Sequence, residues 1–276
     1  EQEQMFEPRP ASEDASLLPK LVFVGGMPMA GTGLVDRIMA QHPGVFSVGE
    51  NTALSRTHGA IRMHLAKTGR PCNYWDWLEQ LSAEEIDIFR QYYLERALGG
   101  QVAGGKTIVD AHPLGCLEFG LAQFLFPEAK FVFMSRHPME TALANIASNV
   151  LNGNALASRP EWIAQVMRTV YSSATNYAAK LGDTMRLQSY EALVQNSERE
   201  ISLLLEHAGL EFNAACLKPN ALCDVDNIAT MLGQEELSTE TQNRWQPYEA
   251  QLKPVFDELG GERWVSAWET FDATLR

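Results

Sequence analysis

A glycine-rich loop between an apolar segment and an amphipathic helix carries the clearest chemical signal in the chain. Residues 25–33 read Gly-Gly-Met-Pro-Met-Ala-Gly-Thr-Gly and follow the apolar run Leu21–Val24. The backbone N–H groups of such a loop can surround a phosphate, and the N-terminus of the next helix adds about half a positive charge. The loop therefore indicates an anion site, and a plain strand-to-helix turn with glycines for packing is the alternative.

The loop differs from that of an ordinary nucleotide triphosphatase. Those enzymes carry G-x-x-x-x-G-K-[ST], in which the lysine reaches the terminal phosphates. Gly26 and Gly31 have the required spacing, but Thr32 stands where the lysine should be. The residue types therefore argue against triphosphate hydrolysis.

Four polar segments each follow an apolar run, and the chain must bring them together. The runs Leu21–Val24, Lys106–Asp110, Lys130–Met134 and Met185–Ser189 predict strands, and Val45–Val48 predicts a brief extended piece. Helical segments separate them, which predicts an α/β fold with a mostly parallel sheet flanked by helices. Ligands bind beyond the carboxyl ends of such strands. We therefore expect one crevice, formed by residues 25–33, 110–112, 136–138 and 190–191.

Periodicity and capping signals predict the helices that carry these strands. Two capping boxes, Ser82 with Glu85 and Ser197 with Glu200, predict helix starts. The predicted helices are Ala53–Lys67, a helix from Ser82 to Leu98, Leu114–Leu125, Met139–Val150, Pro160–Leu181, a helix from Ser197 to Ala208, Thr239–Leu259 and Trp264–Leu275.

Several motifs, in this order, resemble the sulfotransferases that use 3′-phosphoadenosine 5′-phosphosulfate (PAPS), in particular tyrosylprotein sulfotransferases and bacterial sulfotransferase domains. The family's P-R-S-G-T-T-L loop matches Pro28–Leu34, and its H-P and G-E pairs match His42-Pro43 and Gly49-Glu50. Its R-[DH]-P motif matches Arg136-His137-Pro138. Its C-terminal pattern matches Tyr190-Glu191, Gly209-Leu210, Arg244-Trp245, Tyr248 and Leu259-Gly260. The resemblance implies a P-loop-like sulfotransferase fold.

The resemblance also implies residue roles. The first loop would bind the 5′-phosphosulfate through its N–H groups and the Thr32 hydroxyl, and Arg136 would bind the 3′-phosphate. Tyr190 would line the adenine pocket, and Glu50 would act as the general base. The implied reaction is in-line sulfuryl transfer from PAPS to a hydroxyl acceptor, with 3′-phosphoadenosine 5′-phosphate (PAP) as the product.

Several positions of the implied donor site depart from the family pattern, and Ala111 stands where the family often has a lysine. Met29 stands where the family has a basic residue, Ala30 where it has serine, Gly33 where it has threonine and Ala144 where it has serine. Each lost charge-assisted hydrogen bond costs on the order of 1.5–3 kcal/mol. The expected donor site is therefore residues 29–33 with Arg136, Ala144 and Tyr190, in a pocket that has lost polar contacts.

Alternative interpretations accompany these roles. Arg136 also fits a pair with a carboxylate at the edge of the core, and Glu50 fits a carboxylate at a helix N-terminus. His112 either replaces a lost cation, acts as an acid or base, or is structural. At the level of function, the alternatives are a catalytically degenerate binding or scaffold domain and a transferase with a different donor in the same crevice.

Composition limits the remaining classes. A net charge of -13 without a Lys/Arg cluster argues against a nucleic-acid partner. The histidines and four cysteines lack metal-site spacing, so no metal is expected; a Cys216–Cys223 bridge stays open. No apolar run is long enough to span a membrane, and we expect a cytoplasmic protein. We expect a flexible lead-in over residues 1–18 and a single domain over 19–276. The acceptor can be a small molecule, a sugar or a peptide, and the oligomeric state stays open.

Overall fold

A five-stranded parallel sheet forms the centre of the computed structural model, which describes residues 18–70, 80–148, 155–219 and 242–276. The strands are β1 (Leu21–Gly26), β2 (Val45–Ser47), β3 (Thr107–Ala111), β4 (Lys130–Ser135) and β5 (Met185–Ser189), in the spatial order β2-β3-β1-β4-β5. Every neighbouring pair is parallel. The predicted α/β class is confirmed, and the brief extended piece at Val45 is the edge strand.

Helices connect the strands. They are α1 (Thr32–Ala40), α2 (Ala53–Lys67), α3 (Ala83–Leu98), α4 (Phe119–Leu125), α5 (Pro138–Ala147), α6 (Pro160–Leu181), α7 (Tyr190–Gln195), α8 (Ser197–His207), α9 (Glu249–Leu259) and α10 (Glu262–Ala273). Short 3-10 turns cover Pro113–Glu118, Ala155–Ser158, Gly182–Thr184, Ala214–Leu217 and Gln246–Tyr248. None of the helices in the described ranges is long and apolar enough to cross a membrane.

Aromatic packing holds the central strands to the helices. Phe23 of β1 stacks on Phe131 of β4 with ring centroids 5.8 Å apart, and Phe119 of α4 lies 5.0 Å from Phe131. Tyr93 of α3 packs on Phe23 from the other side of the cluster. Because both central strands are buried on both faces, the carboxyl ends of β1 and β4 are fixed relative to each other.

One of the two predicted capping boxes is wrong. The box at Ser82 and Glu85 is present, and α3 follows it. At the second position, Ser197 is the first helical residue and no side chain caps α8. Glu200 is instead 1% exposed and accepts hydrogen bonds from Arg186 and Gln188. A buried carboxylate requires such partners, and this requirement outweighs a cap at the helix end.

The helix predicted over Thr239–Leu259 is wrong in its first part. Helix α9 begins only at Glu249, after the 3-10 turn Gln246–Tyr248. Asn243 has a φ of 61°, a left-handed conformation that interrupts helical hydrogen bonding. The prediction for Leu114–Leu125 is also half right, because its first part is the 3-10 turn Pro113–Glu118 and α4 begins at Phe119.

Candidate active site

The carboxyl ends of all five strands lie at one edge of the sheet. The loop after β1 lies between the segment after β4, which begins with Arg136, and the segment after β3, which contains His112. Tyr190 follows β5 directly and begins α7. The topology therefore places the four predicted polar segments side by side.

Two long-range hydrogen bonds fix the backbone of the loop. Nη1 of Arg136 donates to the carbonyl oxygen of Met29 at 2.7 Å. Nδ2 of Asn145, on α5, donates to the carbonyl oxygen of Pro28 at 2.8 Å. Helix α1 begins after Gly31, and no side chain caps its first turn. The N–H groups of that first turn thus remain suited to an anion, because no capping oxygen takes their place.

Arg136, Tyr190 and Gly31 pack against one another beneath the loop. The guanidinium carbon of Arg136 lies 4.1 Å from the centre of the Tyr190 ring. A Cβ atom on Gly31 would approach Cδ2 of Tyr190 to 2.7 Å, and Gly31 has a φ of 104°. Both observations require glycine at this position. Arg136 is 5% exposed and Tyr190 is fully buried, so the ring and the guanidinium pack against each other inside the protein.

The charge of Arg136 acts on two buried carboxyl groups, Glu140 and Glu191. Glu191 accepts a hydrogen bond from the His137 backbone N–H at 2.9 Å, and Glu140 accepts one from the Trp245 N–H at 3.2 Å. Burial raises the pKa of both carboxyls, and the charge of Arg136 opposes this increase. The arginine therefore lies in a partly compensated electrostatic environment while its Nη1 holds the loop.

The loop positions that depart from the family pattern differ in their surroundings. Ala30 is fully buried, so its side chain faces the core. Met29 is half-buried and has a φ of 68°, unusual for a residue with a side chain. Thr32 is buried at the start of α1, and Ala144 is half-buried on α5. Sequence reasoning missed Asn145, whose only signal was an amide within an apolar helical segment.

Glu50 and His112 lie at the ends of neighbouring strands. The N–H of Ala111 donates to the carbonyl of Gly49 at 3.4 Å, and the two candidate residues follow directly. Glu50 is exposed. The acceptor at the start of α2 is Asn51, whose Oδ1 binds the Ala53 N–H at 2.8 Å. Glu50 lies three residues before α2, so its interpretation as a carboxylate at a helix N-terminus stays a prediction.

His112 is half-buried at the start of the 3-10 turn after β3. Its Nδ1 atom is buried, and no group within the described ranges forms a hydrogen bond to it. Burial lowers the pKa of the imidazole, and the nearby Glu118 partly offsets this effect. The ring is therefore neutral near pH 7, and a neutral imidazole can accept a proton.

Asp110 lies two residues before His112 and is 3% exposed. The Tyr93 hydroxyl donates to its Oδ2 at 2.7 Å, and Asn51 also forms a hydrogen bond to the carboxyl group. Burial dominates and raises the pKa of Asp110 to about 6. Asp110 and His112 both line a small cavity of about 10 Å³. Sequence reasoning missed Tyr93, because nothing in an amphipathic helix indicates which residue will meet a buried carboxyl group.

Several remaining sequence features carry no catalytic geometry or lie outside the described ranges. Within those ranges, no group of His, Cys, Asp or Glu side chains is arranged to hold a metal ion. Cys116 and Cys216 are buried free thiols. Residues 1–17, 71–79, 149–154 and 220–241 lie outside the described ranges, and they include the expected lead-in, Cys223 and the end of the helix predicted over Met139–Val150.

Comparison with known proteins assigns the family. The model of the "Sulfotransferase family" matches residues 19–214, more than half of the 276-residue chain. The chain belongs to the sulfotransferase family. The matched region contains the loop as well as Glu50, His112, Arg136 and Tyr190.

The curated relatives of this sulfotransferase-family chain are distant. It is 24% identical over 198 residues to Protein-tyrosine sulfotransferase 1 of Danio rerio. The alignment covers 71% of this chain and 55% of that protein. It is 23% identical over 248 residues to an uncharacterized protein of Aquifex aeolicus (strain VF5). The alignment covers 86% of this chain and 32% of that protein. The chain thus spans well under two thirds of the length of these relatives.

A solved structure supports the fold. The sulfotransferase domain of the Synechococcus PCC 7002 olefin synthase superposes with a TM-score of 0.59 at 21% identity, which covers 91% of this chain and 98% of that domain. The sulfotransferase fold expected from the ordered motifs is therefore confirmed.

Proposed function

We propose that the protein transfers a sulfuryl group from PAPS to a hydroxyl acceptor and releases PAP. One observation carries the proposal: Nη1 of Arg136 donates a hydrogen bond to the Met29 carbonyl of the loop at 2.7 Å. This contact fixes a guanidinium beside the uncapped first turn of α1. A nucleotide with phosphates at both its 5′ and 3′ ends needs two anion-binding groups held at a fixed separation.

The residues present fit such a donor. The first-turn N–H groups of α1 and the Thr32 hydroxyl would hold the 5′-phosphosulfate. The guanidinium of Arg136 carries five N–H donors in a planar fork, which suits a 3′-phosphate. Tyr190 packs against that guanidinium. When bound, PAPS supplies the sulfuryl group together with a good leaving group.

We assign the general base to His112. A neutral imidazole at the crevice can accept the proton of the acceptor hydroxyl as its oxygen attacks sulfur. Burial keeps the pKa of His112 below its ordinary value, so the ring is unprotonated and ready to accept at neutral pH. Glu50 is the second candidate for this role, because it lies at the end of the neighbouring strand.

A binding or scaffold domain without catalysis is the second candidate function. The observation that favours it is the loss of polar groups at Met29 and Ala144, together with the two buried carboxyl groups on which the charge of Arg136 acts. These features weaken the attraction for a multiply charged donor. A different donor in the same crevice is the third possibility that the sequence leaves open.

The experiment is a turnover assay with PAPS and a panel of hydroxyl acceptors: a phenol, a tyrosine peptide, a sugar and an aliphatic alcohol. PAP release is measured by chromatography. We expect acceptor-dependent PAP release, and we expect Arg136→Gln to reduce it. Arg96→Gln is the matched control, because Arg96 lies over Tyr92 on α3. PAP binding without turnover on any acceptor would favour the binding domain, and no binding at all would overturn both assignments.

A further inference from the structure

The side chain of Arg37 turns back along α1 toward the loop. Its Nη1 atom lies 3.8 Å from the position that a Cβ atom on Gly33 would occupy. Residues four apart on a helix share one face, and helical side chains lean toward the N-terminus. The guanidinium of Arg37 therefore lies beside the first turn of α1, where the anion-binding N–H groups are located.

Glycine at position 33 leaves the space above the first turn open. The side-chain atom of any other residue at this position would stand within van der Waals distance of the Arg37 guanidinium. The Arg37 guanidinium thus lies next to the volume that a threonine side chain at position 33 would occupy. Position 29, where the family has its basic residue, is a methionine.

The charged residues of α1 lie outside its first turn. That turn contains no acidic residue. The nearest acid on the helix is Asp36, whose Oδ1 accepts a hydrogen bond from the Ser47 hydroxyl at 2.5 Å and so is directed toward β2. Burial raises the pKa of Asp36, which disfavours its negative charge, and the charge of Arg37 opposes this effect. The second arginine at the loop, Arg136, contacts the Met29 carbonyl.

We propose that Arg37 binds the 5′-phosphate end of the nucleotide and replaces the cation that the loop lacks at Met29. This assignment rests on the proposed function, since it names a further residue of the same donor site. Arg37 then binds the 5′-phosphate end at the first turn of α1, and Arg136 binds the 3′-phosphate.

The test compares the binding of three nucleotides by calorimetry: PAP, adenosine 5′-phosphate and adenosine 3′-phosphate. Arg37→Gln should weaken PAP and adenosine 5′-phosphate about ten- to one hundred-fold, the usual effect of losing a charge-assisted hydrogen bond. Its affinity for adenosine 3′-phosphate should not change. Arg96→Gln, on α3, is the control and should bind all three like the unmodified protein.

A second variant tests the replacement directly. Adding Met29→Arg to Arg37→Gln should restore the affinity for PAP, because it returns the cation to the loop. If the unmodified protein binds PAP and Arg37→Gln binds it equally well, the assignment of Arg37 is wrong while the proposed function stands. If the unmodified protein does not bind PAP, both are wrong. An equal loss for the 5′- and 3′-phosphates would also contradict the division of roles.

Discussion

Arg136 donates a hydrogen bond from Nη1 to the carbonyl oxygen of Met29 at 2.7 Å, across 107 positions of sequence. The contact joins the segment after β4 to the loop after β1, and the Tyr190 ring supports the guanidinium from the segment after β5. Three of the four strand ends are thereby coupled through one side chain. The geometry of the loop consequently depends on Arg136.

Replacing Arg136 should affect donor binding more than folding. We expect Arg136→Lys to retain part of the PAP affinity, because lysine keeps the charge but loses the planar fork. Arg136→Gln should lower the affinity about ten- to one hundred-fold. Calorimetric titration with PAP measures both variants, and thermal unfolding shows whether they fold. Equal PAP affinity in Arg136→Gln and the unmodified protein would remove Arg136 from the donor site.

Gly31 should tolerate no side chain. In Gly31→Ala the new Cβ would clash with Tyr190 and the residue would keep a left-handed conformation. We expect a loss of about 1–3 kcal/mol in the free energy of unfolding, measured by denaturant titration. Gly49→Ala is the matched control, because Gly49 has a φ of 63° and no atom of the described residues lies within 4 Å of the new Cβ. A similar loss in both variants would mean that backbone strain, and not contact with Tyr190, decides the cost.

His112 should control the chemical step and not donor affinity. His112→Asn should lower kcat at least about one hundred-fold, the usual contribution of a general base, while PAP affinity is retained. Because burial lowers the pKa of His112 from its ordinary value of 6.5, the acidic limb of the kcat/KM profile should lie below that pH. Glu50→Gln should have the smaller effect on kcat. The opposite order, with Glu50→Gln inactive and His112→Asn active, would transfer the base role to Glu50.

Asp110 should make stability depend on pH. Its folded-state pKa of about 6 lies above the value of about 3.9 for an unfolded chain, so folding favours the protonated form. The resulting penalty is absent below about pH 4, grows as the pH rises and is complete above about pH 6. Asp110→Asn, which keeps an acceptor for Tyr93, should therefore gain stability relative to the unmodified protein between pH 4 and 7, by ~2–3 kcal/mol.

Denaturant unfolding at several pH values measures this difference between the two proteins. Because both share every other titrating group, the difference isolates Asp110. Tyr93→Phe provides a second check, since loss of the hydroxyl removes a hydrogen bond that lowers the pKa of the carboxyl group. A stability difference that does not change with pH would show that Asp110 has an ordinary pKa.

The sequence predicted the parallel sheet and the convergence of its strand ends because these follow from local patterns and general rules. Apolar runs identify the strands, and parallel connection places their carboxyl ends at one edge. The capping box at Ser82 was equally accessible, because all of its atoms lie within four residues.

Features that depend on distant contacts could not be predicted in this way. Glu200 has the spacing of a cap, but Arg186 on β5 binds it and buries it. The amide of Asn145 and the hydroxyl of Tyr93 acquire their roles only through partners far away in sequence. The approach of the Arg37 guanidinium to the first turn of α1 was also missed, because a sequence pattern does not show which way a long helical side chain extends.

The loop and Arg136 together should bind a nucleotide with phosphates at both ends, and calorimetric titration of the unmodified protein with PAP measures this binding. Adenosine, which lacks both phosphates, is the matched control ligand. We expect saturable binding of PAP that is much tighter than that of adenosine and weakens as salt is added. Equal affinity for PAP and adenosine, or no binding of PAP at millimolar concentration, would contradict it.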